Sequence, residues 1–252
     1  MDKNINILIK KYSDNESALN KLVVSAFVQA QNLTITDGYL ASFIDNEPND
    51  LDEDIEFLSQ RCSIEDIIHI FELAIPQSER TTNGAVYTPK YIRDYIVKQI
   101  LHSTKQPLAE CLCADISCGC GAFLYTLMEE IHQRTLLSYK IIIQHLYGLD
   151  ISAVSIGRAK ILLALGALQH GETIEENDFH LLCGDATTYD FKAIPTVATN
   201  DGFDIIVGNP PYVRSKNINT EAKKNLSLWE TSKVGNADLY IPFFEIGMTL
   251  LN

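Results

Sequence analysis

The chain is poor in positive charge and lacks the features of secretion or membrane insertion. It has 20 Lys and Arg against 33 Asp and Glu in 252 residues, a formal net charge of −13 at pH 7. No run of 18 or more apolar residues is present, which excludes a membrane-spanning helix. The N-terminus lacks the apolar core and cleavage site of a signal peptide. We therefore expect a cytoplasmic protein without membrane contact, and not a chain with a strongly basic nucleic-acid-binding face.

The spacing of cysteines that is typical of zinc sites is also missing. Four of the six cysteines lie in the stretch CLCADISCGC, residues 111–120. They form two C-x-C pairs, not the C-x₂-C pairs of structural zinc sites. Cys111 and Cys113 fall on a predicted strand, where residues two apart share a face. We expect buried thiols of a reduced protein and no metal site.

The first 80 residues are predicted to be helical. Residues 18–33 and 63–75 have helical spacing of apolar residues, and Ser63 followed by Asp66 approaches a capping box. Between these segments, seven carboxylates fall within residues 45–56. We interpret this run as a solvated linker, with an acidic cluster for a cation or a basic partner as the alternative. Residues 1–80 are assigned to an acidic helical region and residues 81–252 to a second domain.

From residue 81 onward, short apolar runs alternate with segments of helical length. A helix is expected over residues 91–102, and the pattern that follows is β-α-β-α-β-β with helical crossovers. This order predicts an α/β fold with a parallel, doubly wound sheet and right-handed crossovers. In such a sheet, ligands bind beyond the carboxyl ends of the strands, where the strand order reverses.

The first three predicted strands end on residues suited to a nucleotide-like cofactor. Gly119 and Gly121 form a G-x-G loop before a helix, but Leu124 replaces the third Rossmann glycine and no Walker lysine follows. Asp150 ends the second strand, where a carboxylate can bind ribose hydroxyls. Asp185 ends the third and can accept from the amine of an adenine ring. Either aspartate alone is more often a helix cap or a turn residue, but together with the glycine loop they favour a cofactor site.

The fourth predicted strand ends in the stiff sequence Asn209-Pro210-Pro211-Tyr212. The side-chain carbonyl of Asn209 and the backbone carbonyl of Pro210 can accept both hydrogens of a planar amino group. Two such acceptors favour a pyramidal nitrogen and free its lone pair to attack. The ring of Tyr212 offers a stacking face worth about 1–3 kcal/mol per base. The alternative interpretation of this sequence is a plain turn.

Five segments together resemble a known family. D-I-S-C-G-C-G-A-F-L, G-L-D-I-S, C-G-D-A and D-I-I-V-G-N-P-P-Y-V occur in that order, after N-G-A-V-Y-T-P-K-Y-I-R-D-Y-I-V at residues 83–97. They look like the S-adenosylmethionine-dependent N6-adenine DNA methyltransferases of restriction-modification systems, over roughly residues 64–252. The resemblance implies a Rossmann-like sheet, S-adenosylmethionine as the cofactor, double-stranded DNA as the partner, and a restriction endonuclease as a possible attached domain or subunit.

The resemblance also implies a role for each motif residue. Tyr87, Thr88 and Pro89 would line the methionine side of the cofactor. Its amino-acid portion would be held by Asp115, Cys118, Gly119 and Gly121. Asp150, beside Ile151, would bind the ribose, and Asp185, beside Ala186, its adenine. The target adenine, flipped out of the duplex, would be held by Asn209, Pro210, Pro211 and Tyr212, with Asn209 also next to the cofactor.

The chain departs from the family pattern in two ways. Ile116, Ser117 and Cys120 replace the usual residues of the glycine loop. The family's sheet also has further strands and a target-recognition domain after the Asn-Pro-Pro-Tyr motif, whereas this chain ends in a predicted helix over residues 237–252. We therefore expect an incomplete sheet in a C-terminally truncated protein. Residues 213–234, which are rich in Lys and Arg, could line a DNA channel or form a solvated loop.

Three other functions are compatible with the sequence. A release-factor glutamine N5-methyltransferase also combines a helical N-terminal domain with Asn-Pro-Pro-Tyr, but it lacks the Tyr-Thr-Pro segment and the Ala-Phe-Leu that follows the glycine loop here. An RNA amino-methyltransferase is a weaker candidate. A cofactor-binding fragment without turnover is the non-enzymatic alternative.

Overall fold

A computed structural model of the protein describes residues 3–44, 51–76, 84, 86–218, 220–233 and 237–252. The first two of these ranges contain four α-helices, α1 Lys3–Lys11, α2 Glu16–Ala30, α3 Asp52–Ser59 and α4 Ile64–Leu73. The predicted capping box opens α4, because the Ser63 hydroxyl accepts from the Asp66 N–H and the Asp66 carboxylate accepts from the Ser63 N–H. The helical prediction for this region is confirmed.

The acidic run differs from the predicted linker. Residues 45–50 lie outside the described part of the chain, but residues 52–59 form α3, with three carboxylates in its first turn. Carboxylates near a helix N-terminus interact favourably with the helix dipole. Leu58 is buried, and Asp54 binds Lys11 and the Tyr12 hydroxyl. The linker interpretation is therefore wrong for residues 52–56, because composition alone does not distinguish a solvated linker from an acidic first helical turn.

The remainder of the described chain forms a parallel sheet with helical crossovers. In chain order, its elements are α5 Lys90–Ser103, β1 Cys113–Asp115, α6 Ala122–Thr135, α7 Tyr139–Ile143, β2 Leu146–Asp150, α8 Ala153–Gln169, β3 His180–Cys183, α9 Pro195–Thr199, β4 Ile205–Ile206, α10 Thr220–Leu226, α11 Glu230–Lys233 and α12 Tyr240–Leu250. The predicted α/β class is confirmed. Cys111 precedes β1 and does not lie on the strand, although it is buried like Cys113.

The sheet has the strand order β3-β2-β1-β4, and each neighbouring pair is parallel. Ala114 at the centre of β1 is paired with Tyr147 on one side and Ile206 on the other. The chain runs outward from β1 through β2 to β3 and then returns to the other side of β1. The strand order therefore reverses between β1 and β4, which is where an open α/β sheet forms its binding crevice.

Two apolar clusters cover the two faces of the sheet. Successive strand residues point to opposite faces, and Cys113 accordingly belongs to one cluster and Ala114 to the other. The first cluster contains the buried faces of α2, α4, α6 and α8, and the second contains those of α9 and α12. Within the described residues, no helix has the length and apolar character needed to cross a membrane.

The segment after Asn-Pro-Pro-Tyr folds back onto the molecule. It carries α10 and α11, and Ile218 and Leu226 are buried within it. The indole N–H of Trp229 donates to the backbone carbonyl of Thr187, 3.0 Å away. The solvated-loop interpretation is thus wrong for the described part of residues 213–234, because apolar residues anchor it. The predicted helix at the end of the chain is confirmed as α12.

Arg93 on α5 joins the N-terminal helices to the sheet region. Its side chain is fully buried. Nη2 donates to both carboxylate oxygens of Glu65 on α4, at 2.8 and 3.0 Å, and Nη1 donates to the Thr88 carbonyl at 2.8 Å. The several N–H donors of the guanidinium allow it to bind the carboxylate and the carbonyl at the same time. The predicted domain boundary at residue 80 lies outside the described residues and stays a prediction.

We expect Arg93→Met to lower the free energy of unfolding by about 3 kcal/mol. This is the low end of the range for breaking a buried ion pair, because Glu65 remains about one-third exposed. Urea unfolding followed by circular dichroism measures the change. Lys98→Met is the matched control on the same helix, since Lys98 is 55% exposed and lies 3.4 Å from Glu130. Equal stability of the two variants would contradict the structural role of Arg93.

Candidate functional site

The first three strands end in the same short turn, built on an aspartate. Asp115, Asp150 and Asp185 each precede a Ser or Thr by two residues. One carboxylate oxygen of each aspartate accepts the backbone N–H of that residue, at 3.0 Å from Ser117, 2.9 Å from Ser152 and 2.9 Å from Thr187. This local hydrogen bond is the turn role proposed for such residues. It leaves the second oxygen of each carboxylate for another partner, so turn and site roles are compatible.

Asp150 fixes the glycine loop with its second oxygen. Oδ2 accepts from the Gly119 N–H at 3.0 Å. Gly119 and Gly121 both have positive φ, +52° and +86°, a conformation that is inexpensive for glycine. A Cβ at Gly121 would also lie 2.9 Å from the Cβ of Ala159. Burial raises the pKa of Asp150, and the N–H groups of Ser152 and Gly119 oppose that shift.

Asp115 lies at the reversal of strand order, against Gly208. A Cβ at Gly208 would be 2.4 Å from Oδ1 of Asp115, so only glycine leaves space for the carboxylate. Burial raises the pKa of Asp115 to about 7, and the negative charge of Asp150 acts in the same direction. Asp115 is therefore a buried acid that loses its proton at a higher pH than an exposed aspartate does.

Asp185 has a partner that the motifs did not predict. Its Oδ2 accepts from the side-chain amide of Asn225 on α10, 3.1 Å away. The hydroxyl of Thr187 donates to Oδ1 at 2.6 Å. In the protein alone, both oxygens of Asp185 thus accept hydrogen bonds. Sequence reasoning missed Asn225 because the two residues are 40 positions apart and Asn225 belongs to no motif.

Asn209 is oriented by the Tyr-Thr-Pro segment. Its Nδ2 donates to the carbonyl of Val86 at 3.1 Å and to the hydroxyl of Thr88 at 3.0 Å. The carbonyl of Val86 can only accept, which settles which end of the amide faces that segment. The Tyr212 N–H donates to the Gly84 carbonyl at 3.0 Å. The side-chain oxygen of Asn209 therefore remains as the acceptor end of the amide.

One cavity of about 400 Å³ collects most of the predicted site residues. The predicted residues in its wall are Tyr87, Thr88, Asp115, Cys118, Gly119, Asp150, Ile151, Asp185, Ala186, Asn209 and Pro211. Pro89, Gly121, Pro210 and Tyr212 are not in the wall. Tyr212 is 52% exposed and its ring centroid lies 5.5 Å from that of Tyr240. The wall also contains residues outside the motifs, among them His69, Glu72, Asn217 and Phe243.

Five of the six cysteines are buried, and Cys183 at the end of β3 is exposed. Cys113, Cys118 and Cys120 are buried, and burial raises the pKa of each thiol, so all three are protonated near neutral pH. Across the described ranges, no group of three or more His, Cys, Asp or Glu side chains is placed to hold a metal ion.

Comparison with known proteins bears directly on the predicted family. Residues 144–252 match the Eco57I restriction-modification methylase family. Over 197 residues the chain is 30% identical to the Type II methyltransferase M.BstVI of Geobacillus stearothermophilus, an alignment that covers 71% of this chain and 33% of M.BstVI. The chain resembles restriction-modification methyltransferases. The predicted resemblance to restriction-modification DNA methyltransferases is thereby confirmed, and the chain spans about a quarter to a third of the length of the curated relatives it matches.

Solved structures share the fold. The type IIG restriction endonuclease BpuSI superimposes with a TM-score of 0.66 at 15% identity, over 99% of this chain and 32% of that protein. The Type IIL restriction-modification enzyme MmeI, solved in complex with DNA, gives a TM-score of 0.58 at 16% identity, over 96% of this chain and 42% of that one. At such identities the comparison supports the predicted Rossmann-like architecture alone.

The raised pKa of Asp115 predicts a pH-dependent stability. The folded protein keeps the proton up to about pH 7, whereas the unfolded chain releases it near pH 4. Between these values the unfolded state binds fewer protons, so stability falls as pH rises. Asp115→Asn cannot ionise and should remove part of that fall. Urea midpoints measured across this pH window test the prediction, and identical slopes for the wild type and the variant would contradict it.

Proposed function

We propose that this chain binds S-adenosylmethionine and transfers its methyl group to the N6 amino group of an adenine in DNA. The observation that carries the proposal is the orientation of Asn209. Its amide nitrogen is committed to Val86 and Thr88. Its oxygen therefore remains as an acceptor at the cavity wall, in which Asp150 and Asp185 also lie.

The residues of the cavity fit the proposed cofactor. A volume of about 400 Å³ lies within the range of about 300–1,000 Å³ for small-molecule sites. Each oxygen of Asp150 accepts one backbone N–H, and a carboxylate oxygen has a further lone pair for a ribose hydroxyl. Asp185 offers acceptors for an adenine amine. Asp150 and Asp185 follow neighbouring strands, β2 and β3, so a ribose at the first carboxylate would have its adenine directed toward the second.

The chemistry assigned to the protein is binding and orientation. When bound, S-adenosylmethionine supplies an electrophilic methyl group on a sulfonium. The Asn209 side-chain oxygen and the Pro210 carbonyl would accept the two amino hydrogens of the target and increase the lone-pair character of its nitrogen. The stiff Asn-Pro-Pro sequence keeps these acceptors in place. Direct displacement then requires only proximity and alignment of nucleophile and donor.

Double-stranded DNA is the proposed partner, with a restriction endonuclease domain or subunit as a further one. An adenine must leave the duplex stack to reach a cavity of this kind. The segment that follows Asn-Pro-Pro-Tyr contributes Asn217, Ile218 and Ala222 to the cavity wall. Exposed basic residues lie on the same segment, namely Arg214, Lys216, Lys223 and Lys224. Their position supports contact with DNA phosphates. The similarity to restriction-modification methyltransferases favours DNA over a release factor as the substrate.

Cofactor binding tests the first half of the proposal. Titration calorimetry with S-adenosylmethionine should show binding by the wild type. Asp150→Ala should weaken it about tenfold or more, since hydrogen bonds to a charged acceptor contribute about 1.5–3 kcal/mol each. Glu110→Ala is the matched control, because this exposed acid precedes β1 at the opposite end of the sheet. Absence of binding by the wild type would refute the cofactor assignment.

Methyl transfer tests the second half. We expect the wild type to label adenine in a duplex that carries one adenine opposite an abasic site, which lowers the cost of flipping. Asn209→Ala should reduce N6-methyladenine about 10²-fold or more, as for the loss of one preorganised polar group. Mass spectrometry of the digested DNA gives the readout.

Thr88→Ser should keep the acceptor for Asn209 and retain activity, whereas Thr88→Val should not. Label found in cytosine, or in a release-factor peptide and not in DNA, would contradict the proposal.

A further inference from the structure

Glu72 is a partly buried acid in the cavity wall that no motif includes. It lies on α4, in the N-terminal helical region, and its side chain lines the cavity together with Tyr87 and Thr88. Its Oε2 atom is buried and has no hydrogen-bond partner among the described residues. A buried carboxylate oxygen without a partner is costly in a folded protein. Glu72 also lines the cavity, so its carboxyl group lies beside the space that a ligand would occupy.

Glu72 lies beside the residues assigned to the methionine side of the cofactor. One helical turn before it, His69 places its ring centroid 6.0 Å from that of Tyr87, edge to face. Cys120 of the glycine loop is close enough to Glu72 for the negative charge of the glutamate to raise the pKa of its thiol. Burial raises the pKa of the Cys120 thiol to about 12, Arg158 opposes the rise, and the charge of Glu72 adds to it. Glu72 thus lies near the glycine loop, and Cys120 of that loop lines the same cavity.

The positively charged side chains near Glu72 make their hydrogen bonds to other groups. Burial raises its pKa to about 8, Arg93 lowers it, and Glu65 raises it. The Arg93 guanidinium is already hydrogen-bonded to Glu65 and to the Thr88 carbonyl. Arg158 on α8 donates to the Phe71 carbonyl at 3.2 Å. A ligand that brings its own positive charge would therefore favour the ionised form of Glu72.

We propose that the Glu72 carboxylate binds the α-ammonium group of the amino-acid end of S-adenosylmethionine. The proposal rests on the cofactor assignment made above. The amino-acid end carries one ammonium and one carboxylate, and the wall offers a counterpart for each. The backbone N–H groups at the start of α6, after the glycine loop, suit the ligand carboxylate. Glu72, which lines the same cavity from α4, suits the ammonium. The N-terminal helical region then contributes a binding residue of its own.

Two ligands that differ only at the amino-acid end test the proposal. S-adenosylhomocysteine carries the ammonium and carboxylate, whereas 5′-methylthioadenosine has the same nucleoside and thioether without them. Glu72→Gln should lower the affinity for S-adenosylhomocysteine about tenfold or more, because a charge-assisted hydrogen bond is lost. Its affinity for 5′-methylthioadenosine should stay at the wild-type value. Glu53→Gln, at an exposed acid on α3, is the control and should leave both affinities unchanged.

The outcomes separate this proposal from the cofactor assignment. Wild-type protein that binds neither ligand would overturn both. Wild-type binding of both ligands with an unchanged affinity of Glu72→Gln for S-adenosylhomocysteine would overturn the role of Glu72 alone. An equal loss of affinity for the two ligands would also overturn it, since that pattern indicates a general disturbance of the cavity. Retained binding of 5′-methylthioadenosine shows in the same experiment that the variant is folded.

Discussion

A single hydrogen bond, repeated at three strand ends, holds the site together. At Asp115, Asp150 and Asp185, one carboxylate oxygen accepts the N–H two residues later. The bond fixes the side-chain torsions and therefore the direction of the second oxygen. Parallel pairing of β1, β2 and β3 then brings the three turns to one edge of the sheet. The three turns thus present a row of oriented carboxylate oxygens. One of these oxygens, on Asp150, accepts the Gly119 N–H and fixes the glycine loop.

The fourth strand end is held differently, and its support reaches into the N-terminal helices. Asn209 follows Gly208, whose missing side chain leaves space for Asp115. Its amide nitrogen is bound by Val86 and Thr88, and the Thr88 carbonyl in turn accepts from buried Arg93. Thr88 therefore connects the ion pair of Arg93 with Glu65 on α4 to the amide of Asn209: its carbonyl binds Arg93 and its hydroxyl binds Asn209. The helical region is part of the framework that orients this amide.

Local patterns predicted much of the fold and of the cavity wall. Asp150, Asp185 and Asn209 were identified because each ends an apolar run, and a strand end needs only a few residues of sequence to be recognised. The sequence signal D-x-S/T, present three times, would also have predicted the turns. Glu72 and Asn225 were not found, because their importance depends on contacts with residues far away in the chain. Neither the spacing of apolar residues nor a short motif predicts which helix packs beside which loop.

Charge patterns were the least informative part of the sequence. The run of carboxylates at residues 45–56 was interpreted as a linker, yet its second half begins a helix. A solvated loop was one of two interpretations of residues 213–234, the other being the lining of a DNA channel, yet Ile218 and Leu226 anchor the segment. In both cases the many charged residues lie at the surface, and a few apolar ones decide the structure. Average polarity hides such residues, although each fully buried Leu or Ile side chain contributes about 1.5–3 kcal/mol.

The contact between Asn225 and Asp185 has a consequence for selectivity. The carboxylate already accepts an amide N–H in the protein alone. Under the proposed assignment, an adenine amine would donate to a further lone pair of the same carboxylate, beside the amide of Asn225. A purine with a carbonyl oxygen at the same ring position would instead place two acceptors against each other, at a cost of about 1–3 kcal/mol. The carboxylate, held in place by Asn225, would thus discriminate against hypoxanthine-like rings.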